Sequence, residues 1–187
     1  MTTQRAADLL VECLVNQGVS RIFGVPGESY LSVLDALVDV SDKIKFVTAR
    51  HEGGAAFMAE AYGKLMGQAG VCFVTRGPGA TNASIGVHTA MQNSTPMVLF
   101  IGQIGRAMTD REAFQEVDYR KYFGSVAKWV TQIDDPDRVS ELVARAFSVA
   151  TSGRPGPVVV ALPEDMLREM TRTPAARAVP ALTAQAS

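Results

Sequence analysis

Cysteine is scarce in this chain of 187 residues. Cys13 and Cys72 both lie inside apolar segments, and no C-x-x-C spacing occurs. That argues against a disulfide framework or a thiolate metal site and leaves two buried free thiols, as in a reducing compartment. An excess of either charge is missing as well. The 18 basic and 19 acidic residues are mixed along the sequence and give a formal net charge of -1. With no block of one sign to attract polyanions or an anionic surface, neither a nucleic-acid nor a membrane partner is expected. No window approaches the roughly 18 apolar residues of a membrane span. The opening M-T-T-Q-R-A-A-D has no basic stretch leading into an apolar one, so a cytoplasmic location is expected. The common nucleotide and hydrolase signatures are also absent. There is no G-x-x-x-x-G-K-[ST], no G-x-G-x-x-G after the first apolar run and no G-x-S-x-G elbow. His51-Glu52 is followed by Gly-Gly-Ala-Ala, which does not complete H-E-x-x-H.

What is present is apolar and regularly spaced. Hydrophobic residues make up 47% of the chain, enough for one core at this length. Residues 5 to 17 put Ala6, Leu9, Leu10, Cys13 and Leu14 at helical spacing, with Gly18 where a left-handed cap belongs. The run V-S-R-I-F-G-V then reads as a strand, P-G-E-S as a turn, and Tyr30, Leu31, Leu34, Leu37 and Val38 as a second helix. The alternation repeats, with strands at 44–48, 71–75, 97–102, 126–131 and 157–162 and helices at about 55–66, 82–92 and 136–151. D-D-P-D gives the last helix an aspartate cap and a proline at its first position. V-C-F-V-T, M-V-L-F-I-G and V-V-V-A-L are continuously apolar, the pattern of strands covered on both faces. The expected fold is α/β: a doubly wound, mainly parallel six-stranded sheet with helices on both faces. One domain is expected over residues 1–170. The proline- and alanine-rich 171–187 reads as an interdomain linker to a part of the protein not in this sequence.

In such sheets ligands gather beyond the carboxyl ends of the strands. Three glycine-rich loops fall there: P-G-E-S at 26–29, R-H-E-G-G at 50–54 and R-G-P-G-A-T-N at 76–82. A single loop of this kind is explained by the needs of a tight turn, whereas three on one rim point to a binding edge. Glu52 places a carboxylate at the middle loop, followed by Gly53, Gly54, Ala55, Ala56 and Phe57, which offer an ionised group little water. The competing reading of Glu52 is a solvated loop carboxylate. His51 is placed to orient Glu52, and His88 reads as a packed or partly exposed helix residue.

Taken together and in order, G-V-P-G-E, R-H-E-G-G-A-A-F-M-A-E-A-Y-G-K, T-R-G-P-G-A-T-N, A-F-Q-E-V-D and G-R-P-G-P-V resemble the N-terminal, pyrimidine-binding domain of thiamine-diphosphate enzymes of the acetolactate synthase type. The resemblance covers about residues 3 to 168. It implies that Glu52 is the catalytic acid, contacting N1′ of the aminopyrimidine. It places Gly27, Gly79 and Asn82 with Glu52 around the cofactor. By the same resemblance Phe114 and Gln115 face the substrate, and Lys128 stands where these enzymes keep a basic residue. Arg154 matches an arginine that helps hold FAD in flavin-containing members, although G-R-P-G-P is also kept by relatives without flavin, where it is a turn before the last strand.

Two departures qualify the resemblance. The family holds the diphosphate and Mg2+ with a Gly-Asp-Gly sequence, and no Gly-Asp dipeptide occurs here, so that site would belong to a C-terminal domain. No metal ligand is assigned to this chain. The imidazole of His88 is foreign to the true synthases, which leaves open whether pyruvate is the 2-oxo acid. The function implied is carboligation or decarboxylation of a 2-oxo acid, as a transferase or lyase, with the isolated chain inactive. Alternatives are a separate subunit of a two-chain decarboxylase and a non-catalytic assembly or regulatory domain. A homodimer or homotetramer is expected through the helices at 55–66 and 82–92. Their Ala55, Ala56, Met58, Ala59, Ala83, Ile85, Ala90 and Met91 suit close contacts between subunits.

Overall fold

The structure, a computed structural model, describes residues 3–178. Its first helix, α1 (Ala6–Asn16), buries Ala6, Ala7, Leu9, Leu10, Cys13 and Leu14 completely. Arg5 and Asp8 close its first turn, and Gly18 follows at φ +76°, a conformation that costs glycine nothing. From there strands and helices alternate: β2 (Arg21–Gly24), α2 (Leu31–Val38), β3 (Lys45–Thr48), α3 (Glu52–Met66), β4 (Gly70–Val74), α4 (Pro78–Gln92) and β5 (Met97–Gln103). A long loop then leads to the short α5 (Tyr119–Phe123), β6 (Trp129–Gln132), α6 (Val139–Thr151) and β7 (Pro157–Pro163). Asp135 caps the turn of 3-10 helix that leads into α6, as the D-D-P-D pattern predicts.

The six strands form one sheet in the order β3-β2-β4-β5-β7-β6, with every pairing parallel. Every residue of β4, β5 and β7 is buried, whereas the edge strands β3 and β6 are partly open. One face is covered by α1, α2 and α6, the other by α3, α4 and α5, each with its own apolar cluster. The doubly wound expectation is thus met. Cys13 and Cys72 are buried free thiols. Among the described residues no helix is long and apolar enough to cross a membrane.

Three features differ from the sequence reading. Helices α3 and α4 start earlier than the apolar spacing indicates, at Glu52 and Pro78, because each first turn is rich in glycine and carries little hydrophobic signal. A two-residue antiparallel pair, β1 (Gln4–Arg5) with β8 (Met170–Thr171), joins the ends of the domain. Third, the small residues expected to meet a second subunit are spent inside the chain. Ala55, Ala56, Ala59, Ala83 and Ala90 are fully buried. The seam between α3 and α4 is so close that a Cβ on Gly86 would stand 2.5 Å from that of Ala56. Only Ile85 of that set is exposed, with Met58 and Met91 half-buried.

The segment read as a linker runs along the domain as far as it is described. Thr171 and Thr173 donate to Asp137, Ser140 donates to the Pro174 carbonyl, and Asn16 to that of Ala176. The remainder of that segment, 179–187, lies outside the described residues, as do residues 1 and 2.

Candidate functional site

β2 has β3 on one side and β4 on the other, and their outgoing helices lie on opposite faces: α2 on one, α3 and α4 on the other. Connections that diverge in this way open a crevice at the carboxyl ends of β2 and β4. The turns after these strands meet across it through Thr75. Its Oγ1 lies 2.8 Å from Ser29 Oγ, and a Cβ on Gly27 would be 2.6 Å from Thr75 Cβ. Gly27 is therefore needed for loop-to-loop contact. Gly79 differs, since its missing Cβ would stand 3.5 Å from Glu52 Oε1 as well as 2.9 Å from Thr75 Cγ2.

Glu52 is the first residue of α3 and is half-buried. Asn82, one turn into α4, donates Nδ2–H to Glu52 Oε2 at 3.0 Å, and no hydrogen bond reaches Oε1 among the described residues. One carboxylate oxygen is fixed and the other stands over the glycine turn. Burial, together with the Glu52 charge, pushes the Cys72 thiol and the Tyr30 hydroxyl well above their ordinary ranges. Both stay neutral, so Cys72 is no nucleophile. His51 does not orient Glu52. Its Nδ1 accepts the Gly53 N–H at 3.0 Å and so caps α3. The apolar surroundings expected for Glu52 are met only in part, because Gly54 and Phe57 face solvent.

Three further residues of the rim, Thr75, Arg76 and Tyr119, were not singled out from the sequence. The Gly77 N–H donates to Tyr119 Oη at 2.9 Å. Burial lifts the Tyr119 hydroxyl to about 12, so it stays protonated in that contact. Arg76 pairs with Glu28 and Glu164 from the ends of β2 and β7. Gln115, at φ +66°, abuts the same turn, since a Cβ on Gly77 would lie 2.7 Å from the Gln115 carbonyl oxygen. Phe114, beside it, is 75% exposed. Thr75 and Arg76 open the T-R-G-P-G-A-T-N motif, but nothing local shows what they touch. Tyr119 has no signal at all, being far along the chain.

Lys128 and Arg154 lie at the opposite, amino end of the sheet. Lys128 Nζ donates to the carbonyls of Val149 and Ser152 at 2.5 and 2.8 Å, at the end of α6, and burial lowers its pKa. Arg154 donates to Ser94 Oγ and to the carbonyls of Met91 and Gln92, closing the end of α4. The structure thus brings Glu52, Asn82, Gly79, Gly27 and Gln115 to one edge and leaves Lys128 and Arg154 apart from them. His88 is exposed on α4, its Nε2 3.4 Å from Gln92 Nε2. Among the described residues no group of three or more His, Cys, Asp or Glu is arranged to hold a metal.

Residues 4–122 match the family model described as thiamine pyrophosphate enzyme, N-terminal TPP binding domain. The chain is 40% identical over 181 residues to acetolactate synthase of Bacillus subtilis (strain 168), a match covering 97% of this chain and 31% of that protein. It is 40% identical over 168 residues to acetolactate synthase isozyme 3 large subunit of Escherichia coli (strain K12), covering 90% and 29%. It is 39% identical over 167 residues to the chloroplastic acetolactate synthase of Arabidopsis thaliana, covering 89% and 25%. The chain spans less than a third of the length of these relatives.

Proposed function

The chain belongs to the thiamine pyrophosphate enzymes, as an N-terminal TPP-binding domain of the acetolactate synthase type, and from that premise we propose that it supplies the acid that works on the aminopyrimidine of the cofactor in an enzyme acting on a 2-oxo acid. The observation that carries this reading is the half-fixed carboxylate: Glu52 Oε2 held by Asn82 and Oε1 free beside a turn with no Cβ at Gly79.

The residues fit part of thiamine diphosphate, which is thiamine pyrophosphate under its other name. The glycine turn at Gly79 and the nearby Glu52 Oε1 would suit a flat, partly polar ring. The diphosphate and Mg2+ are assigned no residue of this chain; among the described residues no group of three or more His, Cys, Asp or Glu is arranged to hold a metal. Their site is assigned to the part of the enzyme for which the longer relatives have room. Flavin is assigned no contact here, since the Arg154 guanidinium donates to the end of α4.

Bound thiamine diphosphate supplies a carbon nucleophile for the carbonyl of the 2-oxo acid. Glu52 would hold a proton for a ring nitrogen of the bound cofactor, which is general acid–base work. Asn82 would decide which oxygen does so, because its donor occupies Oε2 and leaves Oε1 for that contact. Gln115 and Phe114, on the loop that touches Gly77, take the substrate-facing role that the resemblance implies for them. A second copy covers the exposed Phe57 and Ile85 on the outer sides of α3 and α4, which keeps water from the carboxylate. The reaction is carboligation or decarboxylation, in the transferase or lyase class.

Glu52→Gln tests the reading in the full-length protein. The amide keeps the shape and the Asn82 side of the contact but cannot exchange a proton. Deuterium exchange at C2 of bound cofactor, followed by NMR, should slow by roughly 10²–10⁴ with the melting temperature unchanged. Exchange at the wild-type rate would reduce Glu52 to a rim carboxylate.

A further inference from the structure

Arg76 Nε is, among the described residues, the one buried side-chain polar atom with no hydrogen-bond partner. The residue is more than nine-tenths buried at the carboxyl edge. Its two acids are not. Nη2 donates to Glu28 Oε1 at 2.9 Å and Nη1 to Glu164 Oε2 at 3.3 Å, and those carboxylates are 70% and 37% exposed. Burying a guanidinium against acids that remain in water is poor stabilisation, because desolvation offsets most of the attraction. The contact makes better sense as geometry. Glu28 belongs to the turn after β2, Arg76 to the turn after β4 and Glu164 to the end of β7, so one side chain spans three loops.

The backbone of Arg76 works on the other side. Its carbonyl accepts from Gly79 N–H at 3.2 Å, and the next N–H, of Gly77, goes to Tyr119 Oη. Between these contacts Gly77 sits at φ +46°, ψ −103°, a mirror-extended conformation open to glycine and closed to other residues. The fork of Arg76 and the Tyr119 hydroxyl hold the flanks of this turn, which ends at Gly79, beside Glu52 Oε1.

We propose that Arg76 is a positioning residue: by clamping the turns after β2, β4 and β7 it sets where Gly79 stands relative to Glu52, and so the width of the slot that takes the pyrimidine. This rests on the reading of Glu52 given above. Lysine cannot replace it, since a point charge cannot reach two carboxylates in different loops as a planar fork does.

The test uses the full-length protein with Arg76→Met, Arg76→Lys and, alongside them, Glu52→Gln. In cofactor-free protein, amide exchange over residues 26–30 and 75–82 should rise about tenfold in both Arg76 variants. The Kd for thiamine diphosphate should rise, and C2 exchange at saturating cofactor should slow about 10- to 100-fold, the effect of misplacement by about an ångström. If C2 exchange at saturation is wild-type in Arg76→Met but slow in Glu52→Gln, Arg76 is a structural clamp only and the proposal is overturned. Wild-type exchange in both overturns the role of Glu52 with it. Should Arg76→Met fail to fold, the double variant Glu28→Gln/Glu164→Gln, which frees the guanidinium while keeping it, is read by the same outcomes.

Discussion

Gly86→Ala joins stability and site in one measurement. A Cβ there would lie 2.5 Å from Ala56 Cβ and 2.8 Å from the Ala56 carbonyl carbon, where ordinary carbon contacts begin near ~3.5 Å. Backbone cannot yield as a flexible side chain does, so α3 and α4 must part by about 1 Å. Overpacking of this kind costs about 1–3 kcal/mol. The better helix propensity of alanine returns up to about 1 kcal/mol, leaving a net loss of about 1 kcal/mol. The second consequence follows from register. Glu52 precedes Ala56 by one helical turn, and Asn82 precedes Gly86 by one turn on the neighbouring helix. Parting the helices at the seam stretches the 3.0 Å contact between Asn82 and Glu52 towards about 4 Å, which is no longer a hydrogen bond. The variant should therefore have a lower urea midpoint and, at saturating cofactor, slower C2 exchange, by about tenfold for a lost orienting bond. Gly54→Ala is the control for stability, because nothing lies within 4 Å of its added Cβ, and it should raise the midpoint. A Gly86→Ala protein as stable as wild type, with unchanged exchange, would show that the seam does not govern the Glu52 contact.

At the other end of the sheet, Lys128→Met should lower unfolding free energy by about 1–2 kcal/mol, since two bonds from a cation to the last carbonyls of α6 are lost. Its cofactor Kd should not change, and a raised KM for the oxo acid with unaltered stability would return Lys128 to the substrate. Asp8 gives a pH signature. Hydrogen bonds from Arg5 hold its carboxyl below the ordinary 3.8, so the stability it contributes is complete above about pH 4 and is lost as pH falls through the lower, folded value. Asp8→Asn should flatten the acid arm of a plot of urea midpoint against pH, and an unchanged arm would show that the pair with Arg5 does not matter to folding.

Much of this protein can be read locally. Continuous apolar runs such as V-C-F-V-T and V-V-V-A-L have the pattern of strands covered on both faces, and they form β4 and β7, buried along their whole length. Gly18 and Asp135 stand where helix ends need them, and the carboxylate after His51 falls on the loop side of β3 because strand, turn and helix follow one another along the chain. Such signals depend on neighbours in sequence. The starts of α3 and α4, the pairing of β1 with β8 and the small α5 were not legible, since glycine-rich first turns and two-residue strands carry too few side chains to show a period. The charged residues escaped for a different reason. Arg76, Lys128 and Arg154 have long flexible stems whose heads settle on whichever carboxylates or helix-end carbonyls lie within reach. Those partners come from distant parts of the chain: Glu28 and Glu164, the end of α6, the end of α4. Only assembly of the sheet decides which end a loop occupies, and so whether a cation meets the Glu52 edge or closes a helix on the opposite side.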